Sequence, residues 1–172
     1  MYKIFTIIIA ILLGICACES GSSKETGKYH NKEEGFYISF PDGWKVEREG
    51  NTVTAFSPYT SDTDMFCEAI SISTDNSYDY GIDEYFEYSI AVMRREVNNF
   101  KEEERGETTI DNIKAKWIVF TYTMPEGAVK VLGYSLIRGD KAYIITCDAE
   151  PHKFSAYRKI FEDTVKSLKF GI

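Results

Sequence analysis

The sequence predicts an α+β domain, one antiparallel sheet with amphipathic helices packed on it. Three observations carry this expectation. Stretches of alternating apolar and polar residues recur between Phe36 and Cys147, the period of strands with one face in a core. After residue 100 four such stretches follow in series, with Asp111-Asn112 and Gly139-Asp140 as short turn-forming links, which reads as a meander of hairpins. Two segments, near 82–100 and 151–168, instead repeat apolar residues at spacings of three and four.

Each element has its own signal. Phe36, Ile38 and Phe40 alternate with Tyr37 and Ser39, and Pro41-Asp42-Gly43 is turn chemistry, because Pro presets φ and Gly permits φ > 0; a hairpin into a second strand at Trp44 to Arg48 is expected. A third strand spans about Thr52 to Ser57, and Pro58 stops it. Met65 to Thr74 forms a fourth, with Phe66, Ile70 and Ile72 on one side and Cys67, Ala69, Ser71 and Ser73 on the other. That second side is small, which predicts a neighbour packed closely against it. Ile82, Phe86, Ile90, Met93, Val97 and Phe100 mark the first helix, with Asp83 as its cap or first-turn acid. Strands at about Lys101 to Ile110, Lys114 to Met124, Val129 to Ile137 and Lys141 to Cys147 follow, and then a helix from Pro151 to about Leu168 with Phe154, Tyr157, Ile160, Phe161, Val165 and Leu168 on one side.

Ahead of this domain, Met1-Tyr2-Lys3 carries a single positive charge, and an apolar run of about 12 residues follows. That is the core of a signal peptide. A membrane span needs roughly 20 apolar residues, and here polar residues begin at Glu19. Ile15-Cys16-Ala17-Cys18 resembles the bacterial lipobox, in which small residues precede a lipid-accepting cysteine. Cys18 fits that pattern, whereas Cys16 would put the bulky Ile15 at the cleavage point. The resemblance implies diacylglycerol on the Cys18 sulfur, and more than one acyl chain makes such an anchor stable. Ordinary secretion with a free Cys18 is the alternative. From Glu19 to Lys32 the chain is Ser, Gly, Lys and Glu with little to bury. The expected organisation is thus a signal peptide at 1–17, a flexible tether at 18–33 and one domain at 34–172. The expected location is the cell envelope, lipid-anchored to the periplasmic side of an outer membrane where the cell has one.

Formal charge excludes one class of partner. The chain carries −7, and Lys3 is the only charge before Cys18, so the part after cleavage is one unit more acidic. Nucleic acid and anionic bilayers both call for a basic patch. Export permits a disulfide between Cys67 and Cys147, and two buried free thiols fit the same contexts; the choice depends on whether their strands are neighbours.

The opening Gly35-Phe36-Tyr37-Ile38-Ser39-Phe40-Pro41-Asp42-Gly43-Trp44 resembles the start of PsbP-like and DcrB-like domains, an aromatic-aliphatic strand followed by Pro-x-Gly-Trp. The ending is similar as well: Ala142 to Cys147, a short break, and a helix closing on Ser167-Leu168-Lys169-Phe170. The likeness covers about Glu34 to Phe170. It implies an α/β/α sandwich, a central, largely antiparallel sheet with helices on both faces. It also implies binding rather than catalysis, since such domains serve as photosystem II extrinsic subunits, a nuclear-import factor, secretion chaperones and envelope lipoproteins. Likeness of fold assigns no partner by itself.

The residues themselves offer little chemistry. Of the two histidines, His30 lies in the tether and His152 at the start of the last helix, near Cys147, Asp148 and Glu150. GxSxG, P-loop, GxGxxG, EF-hand and CxxC patterns are absent, so neither a cofactor nor a metal is expected. Tyr78 and Tyr80, with Tyr59 in an earlier loop, are candidates for a partner surface, because tyrosine offers contact area at little entropic cost; the alternative is that they fold back over the helix start. The expected function is a membrane-tethered, non-catalytic binding or assembly module. It would meet the bilayer through acylated Cys18, and an envelope protein or small apolar ligand through its domain. The alternative is an envelope hydrolase using Cys147 and His152.

Overall fold

The computed structural model describes residues 28–61 and 66–171. Chain order runs β1 (Lys28–Asn31), β2 (Phe36–Ser39), β3 (Lys45–Glu49), β4 (Thr52–Phe56), β5 (Ala69–Asn76), α1 (Ile82–Glu96), β6 (Lys101–Ile110), β7 (Ile113–Met124), β8 (Gly127–Arg138), β9 (Lys141–Ala149), α2 (Phe154–Lys166) and β10 (Lys169–Phe170). Seven strands form one sheet in the order β3-β4-β5-β9-β8-β7-β6, with every pair antiparallel. Strands β1, β2 and β10 form a second, small antiparallel sheet.

Alternation along the strands divides the large sheet into two faces. On β8, Leu132, Tyr134 and Leu136 enter one core together with Phe154, Phe161 and Val165 of α2; Val131 enters a separate core with Phe86 and Ile90 of α1. The helices therefore cover opposite faces, as expected of an α/β/α sandwich. On the α2 face, Ile70, Ile72, Leu132, Leu136 and Ile145 are all about fully buried. Each such side chain contributes roughly 1.5–3 kcal/mol over an exposed one, so this face holds the domain together. The small sheet adds Phe36, Ile38 and Phe40 to the same core.

Turns follow their local chemistry. Asp111 and Asn112 both have positive φ, 49° and 63°, the conformation of the tight hairpin turn that joins β6 to β7 and one that Asn and Asp tolerate. Pro41-Asp42-Gly43 also turns: the Trp44 N–H donates to the Pro41 carbonyl at 3.2 Å and Gly43 has φ 79°. It does not close the expected hairpin. Strand β2 pairs with β1 and β10, and β3 pairs with β4, so the corner carries the chain from the small sheet to the large one. Turn chemistry fixes a local bend but not the partners of the strands beside it. The chain also joins the fold at Lys28, earlier than the boundary expected at 34, because Lys28–Asn31 lies in register with Ser39 to Phe36. His30 thus belongs to a strand and stacks edge-on with Tyr37.

Charges on β6 tie both helices to the sheet edge. A bulge between Glu102 and Glu104 shifts the alternation, so Glu102 and Arg105 share a side although three residues apart. Arg94 of α1 reaches Glu102 at 2.7 Å, and Arg105 reaches Glu87 of α1 at 2.8 Å. Glu104 accepts both ends of the Arg158 guanidinium from α2, at 3.1 and 3.0 Å. The run Lys101 to Arg105, expected as a solvated strand face or edge, also clamps the layers. At the other edge all five residues of β3 are exposed and charged except Val46, which discourages pairing with another chain.

Candidate functional site

The α1 face is built differently from the α2 face. Helix α1 lies over β7 and β8 and meets Ile118, Phe120 and Val131 there. Beside that contact, the middle strands present small residues in register. Thr54, Ser71, Thr146 and Gly133 form one row across β4, β5, β9 and β8; Thr52, Ser73, Ile144 and Ser135 form the next. Thr54 and Ser71 join their hydroxyls at 2.9 Å. Small residues under a helix that sits to one side leave space. The space is a cavity of about 150 Å³ between α1 and the sheet, floored by Ser71, Ser73, Gly133 and Thr146 and roofed by Tyr85, Phe86 and Ile90. A cavity of this size holds a benzene ring when its walls are apolar. The small side of β5, which predicts a closely packed neighbour, instead borders an opening.

Asp148 lines this cavity from β9, one row beyond Thr146 and between Ala69 and Val131 in register. Asp148 is half-buried, with part of its surface open to water, and that partial burial pushes its carboxyl up to about 7, with no ion pair holding it down. Tyr122 on β7 feels the same charge, and burial pushes its phenol well above the ordinary value. The fully buried acid among the described residues, Glu68, is handled differently. It is 0% exposed; its Oε2 accepts from Ser57 Oγ at 3.1 Å, while its Oε1 has no hydrogen-bond partner and only the Lys153 Nζ charge 3.5 Å away. Asp148 is the acid that borders the cavity with neither an ion pair nor a hydrogen-bond donor among the described residues. Among the described residues no group of three His, Cys, Asp or Glu is placed to hold a metal ion.

A family model described as PsbP-like protein matches residues 15–170. The chain belongs to the PsbP-like family. No curated protein matches the sequence. Solved structures similar in fold include LpqN of Mycobacterium tuberculosis, described as involved in cell envelope biogenesis, at TM-score 0.67 and 10% identity over 84% of this chain and 90% of that one. CyanoP, the cyanobacterial PsbP of Synechocystis sp. PCC 6803, aligns at TM-score 0.62 and 10% identity over 90% and 99%. A Pseudomonas aeruginosa protein of unknown function, PA94, aligns at 0.63 and 15% over 81% and 93%. At such identities the likeness is one of fold.

In this PsbP-like domain the residues singled out from sequence are scattered. Cys18 lies outside the described residues. Cys67 and Cys147 are not joined to each other by a disulfide. Cys147 pairs in register with Ile70 and enters the α2-side core, whereas Cys67 precedes Ile70 by an odd number of residues and so belongs to the other side of an extended chain. Burial also pushes the Cys147 thiol up, away from thiolate, and His152 is exposed in the turn before α2. A thiol with 0% exposure offers a substrate no approach, so these two residues do not form a nucleophilic pair. Tyr59 and Tyr78, 39% and 42% exposed, lie beyond opposite ends of β5. The eight residues of that strand span about 26 Å, so the tyrosines do not make one surface. Tyr80 packs against Tyr88 of α1 with ring centroids 6.0 Å apart, covering the helix start. Asp148 was the residue to find. Its signal is a carboxylate on the Ile144-Thr146-Asp148 side of an otherwise apolar strand.

Proposed function

We propose that this PsbP-like chain is a lipid-anchored protein of the cell envelope, tethered through Cys18, and that its domain is a non-catalytic binding module receiving a small, largely apolar ligand between α1 and the sheet. The cavity carries the reading: an opening of about 150 Å³, lined mainly by aromatic and aliphatic side chains with a few hydroxyls and one uncompensated carboxyl, is the usual composition of a ligand site. The signal-peptide core, the Ile15-Cys16-Ala17-Cys18 motif and the Ser- and Gly-rich stretch after it support the tether. The fold it shares with LpqN, described as involved in cell envelope biogenesis, agrees with that location. Among the described residues no helix is long and apolar enough to cross a membrane.

The test purifies the chain from its native membrane beside Cys18→Ala and Thr146→Phe variants, the second chosen to fill the cavity floor. Mass spectrometry of the intact protein and of its solvent extract should show a diacylglyceryl mass on the parent that the Cys18 variant lacks. It should also show a co-purifying small molecule that the Thr146 variant loses. An unlipidated parent in the soluble fraction contradicts the tether, and a ligand that survives Thr146→Phe contradicts the site.

A further inference from the structure

The charges around the cavity are all of one sign. Among the described residues that line it, Asp75 and Asp148 are acidic, and none is Lys, Arg or His. Asp75 has local partners: it accepts from the Asn76 N–H at 2.8 Å and, at 3.5 Å, from the Tyr85 hydroxyl. Asp148 has no such donor; the next residue along its face of β9 is Thr146, which pairs in register with Ser71 of β5. The ring of Tyr122 faces the same charge, and Phe120 lies in the same row two strands away. An anion entering here meets two carboxylates and no counter-charge. Asp148 is half-buried, and a neutral hydrocarbon filling the space would strip water from its carboxyl without replacing the lost hydrogen bonds, which costs free energy. An ammonium group answers both needs: its N–H donors satisfy the carboxylate and the nearby hydroxyls, and its charge is attracted to the faces of aromatic rings. A metal ion would call for a fuller set of oxygen ligands than one carboxylate supplies.

We propose that the cavity takes a small organic cation, an alkylammonium whose charged end pairs with Asp148 and whose apolar body lies between α1 and the sheet. This rests on the cavity being a ligand site and adds the class of ligand. The length of the opening agrees: it is lined from Asp75 to Asp148, whose partners on β9 and β5 are Ala142 and Ala69, six residues apart, a run of about 20 Å along the strands. The titratable groups facing it are Asp75 on β5, Tyr85 on α1 and Tyr122 on β7, besides Asp148 itself on β9. Burial keeps the two tyrosines neutral at ordinary pH. Asp148 gains its charge near pH 7, so a cation should bind more tightly above that pH than below it.

The experiment follows isoleucine methyl resonances of the full chain in nanodiscs while hexylammonium, hexanol or hexanoate is added. Ile90, Ile118 and Ile144 line the cavity and report entry directly, apart from partition into lipid. Hexylammonium should move these methyls at pH 8 at concentrations at least about tenfold lower than hexanol. Its affinity should fall on the order of 100-fold at pH 5, because the carboxyl must then give up its proton to pair. Asp148→Asn, checked for folding by its melting temperature, should reduce the preference for the amine to within about twofold. If hexanol or hexanoate binds as well as the amine, or if Asp148→Asn leaves the amine's advantage unchanged, the cation assignment is overturned while the cavity remains a site. If none of the three moves those methyls, the cavity is not a site for ligands of this size, and both readings fall.

Discussion

At the level of single residues, Asp148 makes the stability of the fold depend on pH in an unusual direction. Partial burial raises its carboxyl to about 7, whereas in an unfolded chain the group titrates near 4. Between those values the folded chain holds a proton that the unfolded chain has released. The folded state therefore binds more protons, and stability falls as pH rises through the interval. Below about pH 4 the cost vanishes; above pH 7 it is complete, with an upper bound on the order of 4 kcal/mol because the carboxyl is only half-buried. Asp148→Asn should raise the urea midpoint at pH 8, with a gain up to that bound, and more than half of the gain should disappear at pH 5. A variant no more stable than the parent at pH 8 would count against an uncompensated, half-buried carboxyl. This residue was legible only in part. The Ile144-Ile145-Thr146-Cys147-Asp148 run reads as a buried strand, and an acid at its end looks like the start of a loop; that both neighbours of β9 extend past Asp148 depends on pairings made far along the chain. Cys147 and His152 show the reverse. They are five residues apart in sequence, yet strand alternation turns one into the core and a turn leaves the other in solvent.

Elements were legible in proportion to their length and period. The four strands β6 to β9 and the two helices announce themselves by sustained alternation or by spacings of three and four, and their observed bounds fall within a few residues of those expected. Strands β1 and β10, of four and two residues, carry no such period and exist because β2 offers an edge on each side. Helix α1 stops at Glu96, although the apolar spacing continues; Val97 and Phe100 pack against the same core from the connection that follows. The pairing of β6 with β7 shows what register adds. Gly106 stands opposite Trp117, and a Cβ there would lie 2.7 Å from the indole ring. The indole covers the glycine as a side chain would, which keeps water from that edge. Gly106→Ala should cost roughly 1–3 kcal/mol by displacing Trp117, read as a lower melting temperature with a change in tryptophan fluorescence. Unchanged stability would mean that the ring moves aside freely.

For the whole molecule, the two faces of one sheet do different work. The α2 side is filled by large branched and aromatic residues and joins the small sheet to the domain, while the α1 side keeps a cavity over serine, threonine and glycine. The α+β class and the placement of helices on both faces were accessible from sequence and from the likeness to PsbP-like domains. The cavity was not, because small residues on one side of a strand are equally compatible with a close neighbour and with an opening; the lateral position of α1 over β7 and β8 decides between them. Neighbouring isoleucines on β9 allow this asymmetry to be tested, since Ile144 faces the cavity and Ile145 the packed core. Xenon enters apolar cavities of this size without needing a charged partner. The most direct measurement is therefore a methyl spectrum of the chain under a few bar of xenon. The account expects the Ile144, Ile118 and Ile90 methyls to shift while those of Ile145, Ile70 and Ile72 stay in place. Shifts on the α2 side alone, or on neither side, would contradict it.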